Sequence, residues 1–176
     1  MIYLSFDQDW APEWATRDLA QLLSDAGQKA TLFVTHKCPS LNDLRADGSI
    51  ELGWHPNFLP GSSHGETLEE TLDTLSAWVP EAQGVRAHCL IQGTPHLLAY
   101  KSRNLSYEAS DLRDGVHDLE PFMSWTGLVQ LPAYFEDDVY LHRGRPLRFD
   151  ALEHRRPGMK IFSFHLIFFT AQLIKS

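Results

Sequence analysis

The first hundred residues alternate between short apolar runs, which predict β-strands, and longer segments with apolar residues every three or four positions, which predict helices. The apolar run IYLSFD at 2–7 is followed by an amphipathic segment at 11–27 and by the β-branched run KATLFVTH at 29–36. Pro12 suits the first turn of this helix and Gly27 suits its end. These segments predict one strand, helix, strand unit.

The same alternation continues beyond residue 40. A third strand is predicted at 49–55, SIELGWH, and a fourth at 84–91, GVRAHCLI, with a helix between them that starts at Thr67 and has Glu70 at capping-box spacing. A short helix over TPHLLAYKSR and strands over LSYEAS, GLVQLPAYF and MKIFSFHLIFF complete the pattern. The alternation predicts an α/β fold with a parallel sheet, either open or closed into a barrel.

The composition is that of a globular protein and argues against several classes of partner. With 176 residues, 43% of them hydrophobic and 22% charged, we expect a single domain over residues 1–176. A net charge of −8 without a basic, aromatic patch argues against nucleic acid. No apolar run approaches the roughly 20 residues of a membrane span, which argues against stable membrane insertion. With no leader segment and only Cys38 and Cys89, we expect a cytoplasmic protein.

Polar residues of catalytic type recur where the predicted strands end. They are Asp7 and Asp9 after the first strand, His36 after the second, His55 after the third, Arg86 and His88 in the fourth, and His165 in the last. The carboxyl ends of parallel strands meet at one edge of a sheet, and the chemistry of parallel α/β proteins takes place there. We therefore expect these side chains to share one site.

Two of these residue types are common metal ligands. Aspartate and histidine bind Zn²⁺ and similar divalent ions, and a catalytic zinc site usually has three protein ligands. Asp9, His55 and His64 are the candidate ligands. Zinc is the expected metal, with Co, Ni, Mn or Fe as alternatives.

The remaining polar residues suit a hydrolytic reaction. Asp7 is a candidate base that takes a proton from the attacking water, Arg86 holds Asp7 ionised, and His165 is a candidate acid that protonates a leaving amine. Trp10 and Trp54 each neighbour a candidate ligand and are predicted to contact the substrate.

These stretches together resemble the polysaccharide deacetylases of the NodB-homology, carbohydrate esterase 4 type. The resemblance is greatest to the WbmS-like branch, which is associated with bacterial O-antigen and capsule synthesis. The matching stretches are LSFDQDW, ATLFVTH, IELGWHPNFLPGSSHG, VRAHCL and FSFH. The resemblance implies a distorted (β/α) barrel and a divalent metal held by Asp9, His55 and a second histidine. It also implies Asp7 as base, His165 as acid, and an N- or O-acetylated sugar or polysaccharide precursor as the partner.

The chain departs from the family pattern in three places. The second metal histidine usually lies four residues after the first, where this chain has Leu59, and the next histidine is His64. Arg86 is followed by an alanine and His88 rather than by proline, so His88 is a candidate substrate contact or substitute ligand. After His165 the chain runs LIFFTAQLIKS, which leaves the closure of the barrel at its C-terminal end open.

Other classes of protein fit part of the pattern. In a haloacid dehalogenase-type phosphohydrolase, Asp7 would be a nucleophile, with Thr35, Lys101 and the acidic run at 136–138 as further motifs. That alternative leaves the histidines without a role. In a non-catalytic carbohydrate-binding relative the polar residues would persist around a degenerate metal site. We expect the acidic run 136–138, EDD, to be a solvated turn, with contact to the substrate as the alternative.

Overall fold

The computed structural model describes residues 1–148 and 154–168, and these contain nine strands and five α-helices. The strands are β1 (Ile2–Asp7), β2 (Ala30–Val34), β3 (Ile50–Trp54), β4 (Gly84–Val85), β5 (Tyr107–Glu108), β6 (Phe122–Met123), β7 (Val129–Gln130), β8 (Phe135–Glu136) and β9 (Lys160–His165). The helices are α1 (Glu13–Asp25), α2 (Ser40–Asp47), α3 (Leu68–Trp78), α4 (Thr94–Ser102) and α5 (Asp137–His142).

All nine strands belong to one sheet, in the order β6, β7, β5, β4, β3, β2, β1, β9, β8. Every neighbouring pair is parallel except β6 and β7. The segment from β7 to β8 brings the two sides of the sheet together, because β7 pairs with β5 while β8 pairs with β9. The sheet therefore curls into a distorted barrel, which confirms the predicted α/β class.

The predicted strands and helices are largely confirmed, with three differences. The predicted fourth strand is only two residues long and leads into a short 3-10 helix at His88–Leu90, where Cys89 has a φ of 56°. The predicted strand GLVQLPAYF divides into β7 and β8, since it changes its pairing partner midway. Helices α2 and α5 and strand β6 were not predicted, because all three are too short to show a clear apolar period.

Alternation along the strands separates an outer apolar layer from a polar interior. Leu32, Val34, Leu52 and Trp54 pack with helix residues such as Leu19, Leu72 and Leu75 in the main hydrophobic core. The intervening residues of β1, such as Ser5 and Asp7, project to the opposite face of the sheet, as the two-residue period requires. This inner face carries the buried polar side chains that form the site.

The helices and the C-terminal end bear on two further predictions, the absence of membrane insertion and the closure of the barrel. Within residues 1–148 and 154–168, no helix is long and apolar enough to cross a bilayer. Residues 169–176, which include most of the run after His165, lie outside the described residues. The prediction about closure of the barrel by that run is therefore not addressed.

The close approach of β4 to β5 depends on a glycine, because a Cβ atom at Gly84 would overlap the ring of Tyr107. We expect Gly84→Ala to lower the free energy of unfolding by about 1–3 kcal/mol, as overpacking does in other cores. Urea denaturation measures the change. At Gly93 an added Cβ would have no neighbour nearer than 3.5 Å, so Gly93→Ala is the control and should cost less. Equal losses in the two variants would contradict this account of Gly84.

Candidate metal centre and active site

The carboxyl ends of β1, β3, β4 and β9 bring the catalytic-type side chains together. Asp7 ends β1 and His165 ends β9, and these two residues are register partners in neighbouring parallel strands. His55 directly follows β3 and Arg86 directly follows β4. The main chain continues to pair beyond β4, since the amide of Arg86 donates to the carbonyl of Trp54 at 3.0 Å.

Asp9, His55 and His88 form a group of metal-ligand type. One donor atom from each lies within 4.8 Å of the others. Asp9 Oδ1 is 3.2 Å from His55 Nε2 and 3.1 Å from His88 Nδ1. His55 is 2% exposed, and neither of its ring nitrogens forms a hydrogen bond within the described part of the chain. A buried imidazole with unused nitrogens beside a carboxylate and a second imidazole fits a divalent ion such as zinc.

The charge of Asp9 is stabilised by the two histidines. Burial acts to raise the pKa of Asp9, but the rings of His55 and His88 outweigh it and hold this pKa well below its usual range. Asp9 therefore remains a carboxylate, which is the form that binds a metal.

The position of Asp9 requires an unusual backbone turn. Asp9 and Trp10 have φ values of 44° and 54°, in the left-handed region that non-glycine residues rarely adopt. Buried Gln8 stabilises the turn, because its side-chain oxygen accepts hydrogen bonds from the amides of Thr35 and His36 at 3.0 and 3.1 Å. The amide of Trp10 donates to Thr35 Oγ1 at 3.0 Å. Such a strained turn persists where the surrounding contacts enforce it.

Arg86 is 1% exposed, and each nitrogen of its guanidinium group donates a hydrogen bond inside the barrel. Its Nη1 donates to Asp7 Oδ1 at 3.0 Å and to Ser163 Oγ at 2.7 Å. Its Nη2 donates to Ser5 Oγ at 2.9 Å and its Nε to the carbonyl of Ala109 at 3.1 Å. The guanidinium thus supplies a permanent positive charge to Asp7 and fixes its carboxylate. The other oxygen of Asp7 lies 3.9 Å from His165 Nε2.

Asp137, at the start of α5, holds His165. Its Oδ1 lies 2.6 Å from His165 Nδ1 and its Oδ2 accepts from the His165 amide at 3.0 Å. His165 Nε2 is 3.5 Å from Asp9 Oδ2. Burial lowers the pKa of His165, but the hydrogen bond to Asp137 and the charges of Asp7, Asp137 and Asp9 raise it to about 10. His165 is therefore a protonated imidazole aimed at the two acids.

The sequence did not indicate this role for Asp137. We interpreted residues 136–138 as a solvated turn, but Glu136 and Asp137 are only 5% and 2% exposed. That interpretation is wrong, because the run ends strand β8 at the same edge of the sheet as Asp7 and His165. The signal available was the placement of acids directly after an apolar strand, GLVQLPAYF.

His64, a candidate metal ligand, does not join the group. Its Nδ1 accepts from the amide of Asn57 at 3.0 Å, and its Nε2 donates to the carbonyl of Thr35 at 2.6 Å. Both ring nitrogens are thus used within the protein, and the ring ties the loop after β3 to the end of β2. His88, predicted as a substrate contact or substitute ligand, lies with Asp9 and His55.

The two candidate sugar contacts are placed differently. Trp54 is 3% exposed and its Nε1 donates to the carbonyl of Val79 at 2.8 Å, so it belongs to the core between the sheet and α3 rather than to the site. Alternation explains this, since Trp54 and His55 point to opposite faces. Trp10 is 40% exposed and its ring centroid is 5.3 Å from that of His88.

A cavity of about 460 Å³ opens over these groups. Asp7, Asp9, His55, His88 and His165 line it, together with Cys89 and Leu90 from the 3-10 helix and Glu136, Asp138 and Val139 from β8 and α5. The volume is in the range of small-molecule sites. The cavity joins a metal-type donor set, a carboxylate fixed by an arginine, and a protonated histidine.

These groups meet at the carboxyl ends of a curled sheet whose strands are parallel apart from β6 and β7. The sequence profile of the WbmS-like polysaccharide deacetylases matches residues 4–173, and the chain belongs to that family. A comparison with curated proteins finds no match.

Solved structures agree with the fold. A Bordetella bronchiseptica protein, assigned as a polysaccharide deacetylase involved in O-antigen biosynthesis, is 33% identical with a TM-score of 0.85, over 94% of this chain and 71% of that one. A polysaccharide deacetylase from Mycobacterium smegmatis is 14% identical with a TM-score of 0.61, over 94% and 76%. A carbohydrate esterase 4 family pseudoenzyme from Bacillus anthracis is 16% identical with a TM-score of 0.50, over 99% and 59%. The fold is thus the distorted (β/α) barrel of these deacetylases.

The buried pair of Arg86 and Asp7 gives a prediction for stability. Arg86→Met should lower the free energy of unfolding by about 3–5 kcal/mol, because it leaves the Asp7 carboxylate buried without a cation. The double variant Arg86→Met with Asp7→Asn should recover part of this loss. Urea denaturation in the presence of a chelator measures both.

The surface pair of Arg103 and Asp73 provides the control, since Asp73 is 74% exposed. Arg103→Met should cost less than about 1 kcal/mol. If Arg86→Met also lowered the free energy of unfolding by less than about 1 kcal/mol, or if the double variant recovered none of the loss, the role given to Arg86 would be contradicted.

Proposed function

We propose that the protein is a metal-dependent hydrolase that removes acetyl groups from an N- or O-acetylated sugar during synthesis of a bacterial surface polysaccharide. The observation that carries the proposal is the set of Asp9, His55 and His88 within reach of both Asp7 and His165. The family and the assigned role of the Bordetella bronchiseptica relative support the substrate class.

Asp9, His55 and His88 would hold the metal, and zinc suits this mixture of nitrogen and oxygen donors best. His88 takes the place that the sequence had given to His64, because the nitrogens of His64 are engaged with the backbone. A divalent ion held by these residues would supply Lewis-acid chemistry, since it would polarise an acetyl carbonyl and lower the pKa of the attacking water.

The side chains of the chain then divide the proton transfers between them. Asp7, fixed and kept anionic by Arg86, accepts the proton of the attacking water. His165, protonated and oriented by Asp137, donates a proton to the leaving nitrogen or oxygen. The two groups lie side by side at the cavity, since His165 Nε2 is 3.9 Å from Asp7 Oδ2 and both residues line it. A carbonyl group bound in the cavity would meet a base and an acid at the same point.

The surroundings of the site suit a sugar. Trp10 is the candidate for contact with a pyranose ring, because it is partly exposed beside His88. The substrate would be an acetylated sugar or a polysaccharide precursor, and we propose that the reaction takes place in the cytoplasm. Fractionation of cells that produce the tagged protein tests this location.

The phosphohydrolase alternative has no support in these contacts. Lys101 Nζ donates to the carbonyl of Gly127 in an exposed contact, and Thr35 Oγ1 accepts from the amide of Trp10. A non-catalytic relative is the remaining alternative, and a pseudoenzyme of the same fold exists. The complete set of metal-type, basic and acidic groups favours catalysis.

Metal analysis tests the ligand set. His55→Ala and His88→Ala should each weaken zinc affinity by at least about tenfold and lower acetate release from an N-acetylglucosamine oligomer accordingly. His64→Gln should retain zinc. The exposed His142 provides the control His142→Ala, which should bind zinc and act as the wild type does. Full zinc content in His88→Ala, or loss of zinc in a folded His64→Gln, would refute this ligand set.

The pair of Asp137 and His165 gives a kinetic prediction. Asp137→Asn should lower kcat for an N-acetylated sugar by about 10²-fold, because His165 loses its orienting and charge-stabilising partner. Hydrolysis of 4-nitrophenyl acetate should fall much less, since its leaving group needs no proton. Zinc content should not change. Asp25→Asn, on the exposed face of α1, is the control. Equal losses on both substrates would show that Asp137 does not act through the acid.

A further inference from the structure

Glu136 is a buried acid at the site that the reaction described above does not use. It is 5% exposed and lines the cavity. One of its oxygens lies within 4.8 Å of an oxygen of Asp7 and of a ring nitrogen of His165. Its carboxyl group forms no hydrogen bond to any residue within 1–148 and 154–168. A buried carboxyl without a donor is costly, which points to a donor that comes from a ligand.

Two cations of the protein lie near Glu136, Arg86 and His165, but neither forms a hydrogen bond with it within the described residues. The donors of Arg86 are directed at Asp7, Ser163, Ser5 and the carbonyl of Ala109, and His165 Nδ1 is engaged by Asp137. Burial, and then the charges of Asp138 and Asp7, raise the pKa of Glu136 to about 7. A ligand cation at this position would relieve that repulsion.

We propose that Glu136 binds the nitrogen of the substrate: it accepts the N–H of the acetamido group before cleavage and pairs with the ammonium group afterwards. This inference rests on the proposed function, in which His165 protonates the leaving atom. Glu136 lies next to His165, so it faces that same atom. It makes the protein selective for N-acetyl over O-acetyl sugars, because an ester presents no N–H to a buried acceptor.

The products of the reaction agree with this role. Water adds to the acetyl carbon, the C–N bond breaks, and its electron pair goes to nitrogen, which receives a proton from His165. Acetic acid and an amine result, and at neutral pH they become acetate and ammonium. An ester would give acetate and a neutral alcohol instead. The amine product is therefore the one that a carboxylate holds.

Direct binding is the first test, and it does not depend on turnover. Zinc-loaded wild type should bind a glucosamine oligomer in calorimetry, and Glu136→Gln should weaken binding by about tenfold or more through loss of the charge pair. Glu136→Gln is nearly isosteric and removes a buried charge, so it should fold. Glu136→Leu should weaken binding at least as much.

A surface acid controls for nonspecific attraction, since the chain carries a net charge of −8. Glu120 is exposed, and Glu120→Gln should bind as the wild type does. The inference is overturned if the wild type does not bind the glucosamine oligomer, or if Glu136→Gln and Glu120→Gln bind it equally.

Turnover is the second test and separates this inference from the proposed function. Glu136→Gln should lower kcat/KM for an N-acetylglucosamine oligomer by about tenfold but for an O-acetylated xylan oligomer by less than about threefold. Equal losses would overturn the inference. If the wild type turns over substrate in a zinc-dependent way but its binding of the glucosamine oligomer does not depend on Glu136, the inference is overturned and the proposed function stands. If binding depends on Glu136 but the wild type shows no turnover, the proposed function is overturned and the inference stands.

Discussion

A single buried cation, the guanidinium of Arg86, is the constraint on which the interior of the barrel depends. Its donors reach β1, β9 and the segment after β5, so one side chain connects strands on both sides of the sheet. This explains two serines in otherwise apolar strands. Ser5 and Ser163 are register partners, as are Asp7 and His165 two residues later. The stretches SFD and SFH are therefore equivalent in the two strands, with a small polar side chain below and a reactive one above.

Two loop turns, rather than the strands, position the residues of the metal-type group. Strand alternation places Asp7 on the inner face, but the left-handed turn at Asp9 and Trp10 is needed to bring Asp9 beside His55. A comparable turn follows His88, where Cys89 and Leu90 also have positive φ. Both turns are anchored by main-chain bonds to neighbouring strand ends, including that from the His88 amide to the carbonyl of Pro56 at 2.9 Å. The metal-type group thus depends on strained loops supported by a rigid sheet.

The sequence predicted what depends on local pattern and strand position. Strands β1, β3 and β9 were predicted from apolar runs, and Asp7, Asp9, His55, Arg86 and His165 from their places at strand ends. His64 and Trp54 were misplaced because their orientation depends on loop contacts and on the facing of a strand, which spacing alone does not give. Asp137 was missed because β8 is two residues long and leaves no recognisable period. Prediction from the sequence therefore failed where a residue's position depends on long-range contacts made by short elements.

The two carboxylates of the stretch FDQDW differ in what balances their charge. Asp7 lies inside the barrel, and Arg86 neutralises it permanently, so the carboxylate needs nothing from outside the protein. Asp9 is balanced only by histidines, and the chain provides no arginine or lysine against it within the described residues. A carboxylate of the first kind is held in place by the protein's own cation. One of the second kind attracts a cation, and buried Gln8 between them anchors this part of the chain to the amides of Thr35 and His36.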